Sequence, residues 1–191
     1  MSDDLRPLVD RCLAGEQRAM IALVDRYRGQ VFGLCYRMLG HRQDAEDAAQ
    51  EAFVRVLRTL HRWDRERPFE PWLLAIAGNR CRTALAKRSR RPAVQSLTEP
   101  IRDPSPAASG GNYLAEEVAL GLKRLRPEYR QAFVLLHENE LSYAEIARAM
   151  RCPVGTIKTW VHRARRSLVG HLRRRGVLED RPIPLRQSAA G

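Results

Sequence analysis

The sequence predicts an all-α protein built as two small helical domains joined by a flexible linker. Three observations carry this. Every long segment repeats its apolar residues with a period of 3.6, runs of β-branched residues are absent, and the composition changes abruptly between residues 92 and 112. There, four of the eleven prolines (Pro92, Pro100, Pro104 and Pro106) stand among Ser105, Ser109, Gly110 and Gly111. The expected boundaries are 1–91 for the first domain, 92–113 for the linker, 114–175 for the second domain and 176–191 for a disordered or loosely docked tail.

In the first domain the periodicity places helices at Leu5–Leu13, Glu16–Leu39, Gln43–Leu60 and Pro71–Arg88. The third has an apolar stripe of Ala45, Ala49, Ala52, Phe53, Val56 and Leu60, with Asp44, Asp47 and Glu51 sharing another face. In the fourth, Leu73, Leu74, Ala77, Cys81 and Ala84 point one way, and Trp72, Asn79, Arg82, Thr83 and Ala86 point the other. The second domain opens with helices at Leu114–Leu125 and Pro127–Glu138.

A final pair of helices follows. Ser142 and Glu145 form an S-x-x-E capping box, and Leu141 and Ile146 can staple the same helix start from either side. Apolar residues end at Met150, and Pro153 suits the first turn of a new helix. Along that helix Ile157, Val161, Ala164 and Leu168 share one face, which leaves Thr156, Lys158, Thr159, His162, Arg163, Arg165 and Arg166 outward. Two short helices with a basic second member read as a helix-turn-helix, whose second helix enters the major groove of DNA.

Charge supports a polyanionic partner. The 191-residue chain carries a formal net charge of +12. From Met1 to Leu60 nine bases balance nine acids, whereas His61–Arg91 holds nine against three and Leu141–Arg175 nine against one. Basic charge thus falls into two separate blocks, as expected for two contact surfaces. The 21 residues 92–112 can extend to about 70 Å, roughly two turns of duplex. No apolar run reaches the roughly 20 residues of a membrane span, and the N-terminus is acidic where a signal peptide is basic, so a cytoplasmic protein without membrane insertion is expected. The four cysteines, Cys12, Cys35, Cys81 and Cys152, are far apart and read as reduced core or boundary thiols. Neither a cofactor nor a metal is expected.

Two faces of the first domain admit more than one reading. The acids Asp44, Asp47 and Glu51 suit solvation, a Mg²⁺-dependent nuclease centre, or a docking face for a basic partner helix. Trp72 beside amide, hydroxyl and guanidinium groups suits unstacked bases, which gain roughly 1–3 kcal/mol each on an aromatic ring, or else belongs to the core.

The order Asp44-Ala45-Glu46-Asp47-Ala48 to Gln50-Glu51-Ala52-Phe53, then Trp72-Leu73 to Ile76-Ala77 with Asn79-Arg80, then Gly155-Thr156-Ile157-Lys158 and His162-Arg163-Ala164-Arg165 closely resembles the sigma-70 family of bacterial RNA polymerase sigma factors, in its compact extracytoplasmic-function (ECF) group. The likeness spans about Leu5 to Leu172. It implies a first domain corresponding to sigma region 2 and a last corresponding to region 4, no catalytic chemistry, and core RNA polymerase, through its β′ and β subunits, and promoter DNA as partners. Whether an anti-sigma factor restrains the protein is left open. By position, Asp44, Asp47, Gln50 and Glu51 would dock on the β′ coiled coil. The loop from Trp63 to Pro71 would take a flipped minus-ten base, with Trp72, Asn79, Arg80, Arg82 and Thr83 near the opened strand. Thr156, Lys158, Thr159, His162, Arg163 and Arg166 would meet the minus-35 duplex.

Two departures from the family pattern stand out. Arg151 replaces the usual turn glycine, so that turn is strained or differently shaped. Trp160 stands where many relatives carry Arg, so either a phosphate contact is missing or the ring packs at the core edge. Without the resemblance, the residues also fit a helix-turn-helix regulator that binds duplex operators unaided.

Overall fold

The computed structural model describes residues 5–90 and 111–179, and these form eight α-helices and one short 3-10 turn. Four helices make the N-terminal bundle: α1 (Leu5–Leu13), α2 (Gln17–Leu39), α3 (Arg42–Thr59), extended by a 3-10 turn at Leu60–Arg62, and α4 (Phe69–Arg90). Four more make the C-terminal bundle: α5 (Gly111–Lys123), α6 (Pro127–His137), α7 (Tyr143–Met150) and α8 (Val154–Arg174). Most of the expected linker and tail lies outside the described residues. Among the described residues no helix is long and apolar enough to cross a membrane.

The core follows the periodicity. On α3, Ala45, Ala49, Ala52, Phe53 and Val56 are buried, with Leu60 just beyond the helix, and so are Leu73, Leu74, Ala77 and Cys81 on α4. Ala84 is exposed instead of buried, since full burial along α4 ends at Cys81 and, of residues 82–89, Arg82 and Leu85 alone are half-buried. The start of α4 is two residues earlier than expected, at Phe69, which is buried between Tyr27 and Trp63 (ring centroids 5.3 and 5.2 Å). Pro71 then sits within the first helical turn, where its missing N–H costs nothing. In the C-terminal bundle α5 begins at Gly111 rather than Leu114, and the added turn brings the Tyr113 hydroxyl within 3.5 Å of the Arg175 carbonyl. Cys12, Cys35, Cys81 and Cys152 are all free thiols; the first three are buried and Cys152 is half-buried.

A buried charge network locks the C-terminal bundle. The Glu117 carboxylate of α5 accepts from Arg175 at 2.8 and 3.0 Å and lies 3.2 Å from the His171 ring of α8. Hydrogen bonding from Arg175 chiefly holds the Glu117 carboxyl below the usual carboxylate range, against the opposing effect of burial, with His171 adding to it. A carboxyl depressed in the folded state stabilises above its unfolded value, about 4.3, and that contribution is lost as pH falls through the lower folded value. Thermal melts across that acid range are expected to show a falling limb that Glu117→Gln flattens; an identical limb in the variant would remove Glu117 as its source.

The two bundles pack against each other through α2 and α4 on one side and α5, α6 and α7 on the other. Arg130 of α6, 5% exposed, reaches across this boundary. Its guanidinium donates to the carbonyls of Met38, in the last turn of α2, and of Lys123 (2.5 Å) and Leu125 (3.3 Å) at the end of α5. Two helix C-termini, each with unpaired carbonyls and a negative dipole end, thus share one cation.

Candidate nucleic-acid and polymerase interfaces

The helix-turn-helix is built locally as its residues dictate. The Ser142 hydroxyl accepts from the Glu145 N–H (3.2 Å) while the Glu145 carboxylate accepts from the Ser142 N–H (2.8 Å), and Leu141 and Ile146 are both buried beside them. After α7 the chain turns at Arg151 with φ 53 and ψ 50, a left-handed conformation. The absence of glycine is therefore met by strain, worth roughly 1–2 kcal/mol for a side chain with a Cβ. Arg151→Gly is accordingly expected to raise the melting temperature of the C-terminal bundle by a few degrees (about 1 kcal/mol); a lowered melting point would show that the arginine side chain offsets the strain by its contacts.

On α8, Ile157, Val161, Ala164, Leu168 and Leu172 are buried. Lys158, Thr159, His162, Arg163 and Arg166 are exposed and Thr156 half-buried, so the six candidate readers share the outer side of one rod. Two are engaged within the protein. Thr159 donates to the Gly155 carbonyl (2.9 Å), and Arg163 donates to the Tyr129 hydroxyl (3.0 Å). That cation lowers the Tyr129 hydroxyl from its ordinary value, and Tyr129 also packs on Trp160 at 6.1 Å between ring centroids. Trp160 therefore sits at the core edge, and with Tyr129 it forms a wall that orients Arg163.

The second face lies on α4. Trp72, Asn79, Arg80 and Thr83 come together along a groove of about 540 Å³, joined by Arg55, Thr59 and Arg62 from α3 and its 3-10 extension. Arg82 lies on the adjoining side, donating to the Asn79 side-chain oxygen, while the Thr83 hydroxyl donates to the Asn79 carbonyl (3.0 Å). Trp72 is half-buried rather than fully exposed. One part of its ring system packs on Phe69 (5.5 Å) and the rest borders the groove, so the ring is neither fully exposed nor a core residue. The loop before α4 is pinned to α1 through Arg65–Asp10 (2.5 Å) and Arg6–Glu66 (3.6 Å), and Arg67–Asp64 (2.7 Å) closes its turn.

Arg55, Thr59 and Arg62 were not among the residues singled out from the sequence. Their spacing of i, i+4 and i+7 is a readable helical face, but they straddle the boundary between the charge-balanced residues 1–60 and the basic block 61–91.

The third face is acidic. Asp44, Asp47, Gln50 and Glu51 are all exposed on α3. Asp44 faces Arg88 at 3.6 Å, Glu51 faces Arg80 at 3.7 Å, and Asp47 accepts from Gln43 at 3.4 Å. The carboxylates are therefore spread toward separate partners instead of converging as metal ligands do. Glu51 also marks where the acidic face meets the basic groove.

Family models agree with this layout: sigma-70 region 2 matches residues 23–91 and sigma-70 region 4 matches residues 115–168. Together these two matches cover more than half of the chain, which makes it a sigma-70 family protein. Among curated proteins the chain is 36% identical to the ECF RNA polymerase sigma factor SigW of Bacillus subtilis, over 83% of this chain and 91% of that one. It is 33% identical to the RNA polymerase sigma-H factor of Pseudomonas aeruginosa, over 84% and 90%. Among solved structures, CnrH in complex with the cytosolic domain of CnrY matches with a TM-score of 0.66 at 26% identity, covering 91% of this chain and 99% of that one. The chain belongs to the ECF sigma factors of the sigma-70 family: it directs RNA polymerase to promoters in response to extracytoplasmic signals.

Proposed function

We propose that the three faces divide the work of promoter recognition. Asp44, Asp47, Gln50 and Glu51 dock on core polymerase through its β′ subunit, with further contacts to β. The α4 groove, with Trp72, Asn79, Arg80, Arg82 and Thr83, takes the unpaired minus-ten strand. The outer side of α8, with Thr156, Lys158, Thr159, His162, Arg163 and Arg166, reads the minus-35 duplex. The chain contributes binding and strand selection and no bond-making chemistry of its own, and it works in the cytoplasm where polymerase is. By analogy with CnrH, solved in complex with the cytosolic domain of CnrY, and with the RpoE of Bartonella quintana, solved with the anti-sigma factor NepR, a protein of the anti-sigma kind is the partner proposed to restrain it. The domain division follows the same logic: a region 2 of residues 1–91, a linker of 92–113 and a region 4 of 114–175.

The observation that carries this reading is the α4 groove. An aromatic edge, an amide and several guanidiniums in one cleft suit splayed bases and their phosphates, a combination a duplex reader does not need. Arg163→Ala or Lys158→Ala is expected to weaken upstream duplex recognition by about 1–3 kcal/mol where a base edge is read. Asn79→Ala is expected to spare duplex binding and impair melting; Trp72→Ala does the same but also loses packing on Phe69. Permanganate footprinting of each holoenzyme separates them, and unchanged melting with Asn79→Ala would remove the strand role from this groove.

A further inference from the structure

Four guanidiniums converge on the groove along α4 without acids to match them. Arg55 and Arg62 from α3 and its extension, Arg80 from α4 and Arg151 from the turn between α7 and α8 surround a cavity of about 540 Å³, and no carboxylate lines it. Among the described residues Arg80 meets Glu51 at 3.7 Å, while Arg55, Arg62 and Arg151 have no ionic partner. Trp72, Ile76, Asn79 and Thr83 line the same cavity. We infer that this cavity is a binding site for a nucleoside polyphosphate, its phosphates held by the four guanidiniums and its base laid against the part of Trp72 that borders the groove.

Charge and size both select this ligand. A cleft lined by one sign of charge concentrates ions of the other sign, and the planar fork of arginine donates paired hydrogen bonds to phosphate oxygens. A single strand spreads its phosphates one per nucleotide along an extended backbone. Guanidiniums around one cavity match instead several phosphates on one group. The volume falls within the range of about 300–1,000 Å³ typical of small-molecule sites. An aromatic ring favours a base over bare polyphosphate, because any base can stack on it. The Asn79 side-chain oxygen accepts from Arg82, which leaves its amide nitrogen to donate to a base edge.

Arg151 is the member of the set that binding a strand does not call for. It belongs to the C-terminal bundle and keeps a left-handed backbone, φ 53, at a turn where glycine would be unstrained. Strain held at one residue is accounted for when that residue has a task, and here its exposed guanidinium completes the cluster. The site stands on charge and shape, so it is independent of the strand reading of α4, which the permanganate experiment decides separately. Where both hold, nucleotide and strand compete for Trp72 and Asn79.

The test titrates the full-length chain, without polymerase, with ATP by calorimetry at fixed ionic strength, and with inorganic tripolyphosphate and adenosine in parallel. ATP is expected to bind at one saturable site, tripolyphosphate more weakly and adenosine not measurably. Arg151→Gly removes one guanidinium while relieving the turn, so it is expected to melt no lower than the parent and to bind ATP about tenfold more weakly. Arg62→Ala, at an exposed position, is expected to show the same loss and carries the test alone should Arg151→Gly prove less stable. Arg124→Ala removes the same net charge from an exposed site outside the cavity, and is expected to change the affinity by less than about twofold. Binding that does not saturate, tripolyphosphate as tight as ATP, unchanged affinity on losing a cavity arginine, or an equal loss with Arg124→Ala would each overturn the proposal.

Discussion

Reversing Asp47 and Glu51 to lysine is expected to abolish assembly with core polymerase while leaving the fold intact. Both side chains are exposed on α3, whose core face is made by Ala45, Ala48, Ala49, Ala52, Phe53 and Val56. Exposed substitutions of this kind change stability by roughly ±0.5 kcal/mol. Among the described residues Glu51 alone of the two has an ionic partner, Arg80 at 3.7 Å, and a solvent-exposed pair of that length is worth roughly 0–1 kcal/mol. Like charges brought together in a binding interface cost several kcal/mol, so a loss of at least a hundredfold in polymerase affinity, about 3 kcal/mol, is the expected scale. Size-exclusion co-elution with core enzyme, beside a thermal melt of the free variant, checks both halves. Retained co-elution would move the docking face elsewhere. Because Glu51 also borders the α4 groove, Asp47→Lys alone is the control: it should reproduce most of the loss without disturbing Arg80.

The largest effect on folding is expected from Arg130→Ala. Burial lowers the affinity of this guanidinium for its proton, yet it remains an arginine and stays charged, so the protein bears the desolvation and recovers it through three carbonyls on two helix ends. Removing the side chain leaves those carbonyls buried without donors. Hydrogen bonds to a charged donor contribute about 1.5–3 kcal/mol each, and the losses are not additive, so a destabilisation of about 3–4 kcal/mol is expected by chemical denaturation. Arg130→Lys should recover only a small part, because one ammonium cannot span the end of α2 and the end of α5 with a planar fork. A loss below about 1 kcal/mol would mean that the carbonyls find other donors.

Much of this was legible in the residues, for reasons that differ from element to element. The helix-turn-helix could be read to the residue because its determinants are local: a capping box, a staple, a proline at the next helix start, and an apolar ladder. The outward side of α8 followed directly. The α4 groove was legible only in part. Trp72, Asn79 and Thr83 lie on one helix, whereas Arg55, Thr59 and Arg62 join them from another, and periodicity cannot report what a neighbouring helix brings. The role of Arg130 was invisible for the same reason, since one arginine in P-E-Y-R looks like any solvated charge until two helix ends converge on it. Phe69 shows the opposite limit. Its burial moved a helix start ahead of Pro71, where a local rule placed the boundary at the proline itself.

The ladder of Ile157, Val161, Ala164, Leu168 and Leu172 has a consequence for how such proteins diverge. It assigns nearly all of the packing of α8 to one stripe and almost none to Lys158, Thr159, His162 and Arg166. With the outer side of α8 proposed as the duplex reader, folding and sequence preference are written in separate letters of the same helix. After a gene duplication, the preference letters can drift freely while the packing letters stay fixed, and a lineage can acquire a new promoter vocabulary without passing through an unfolded ancestor.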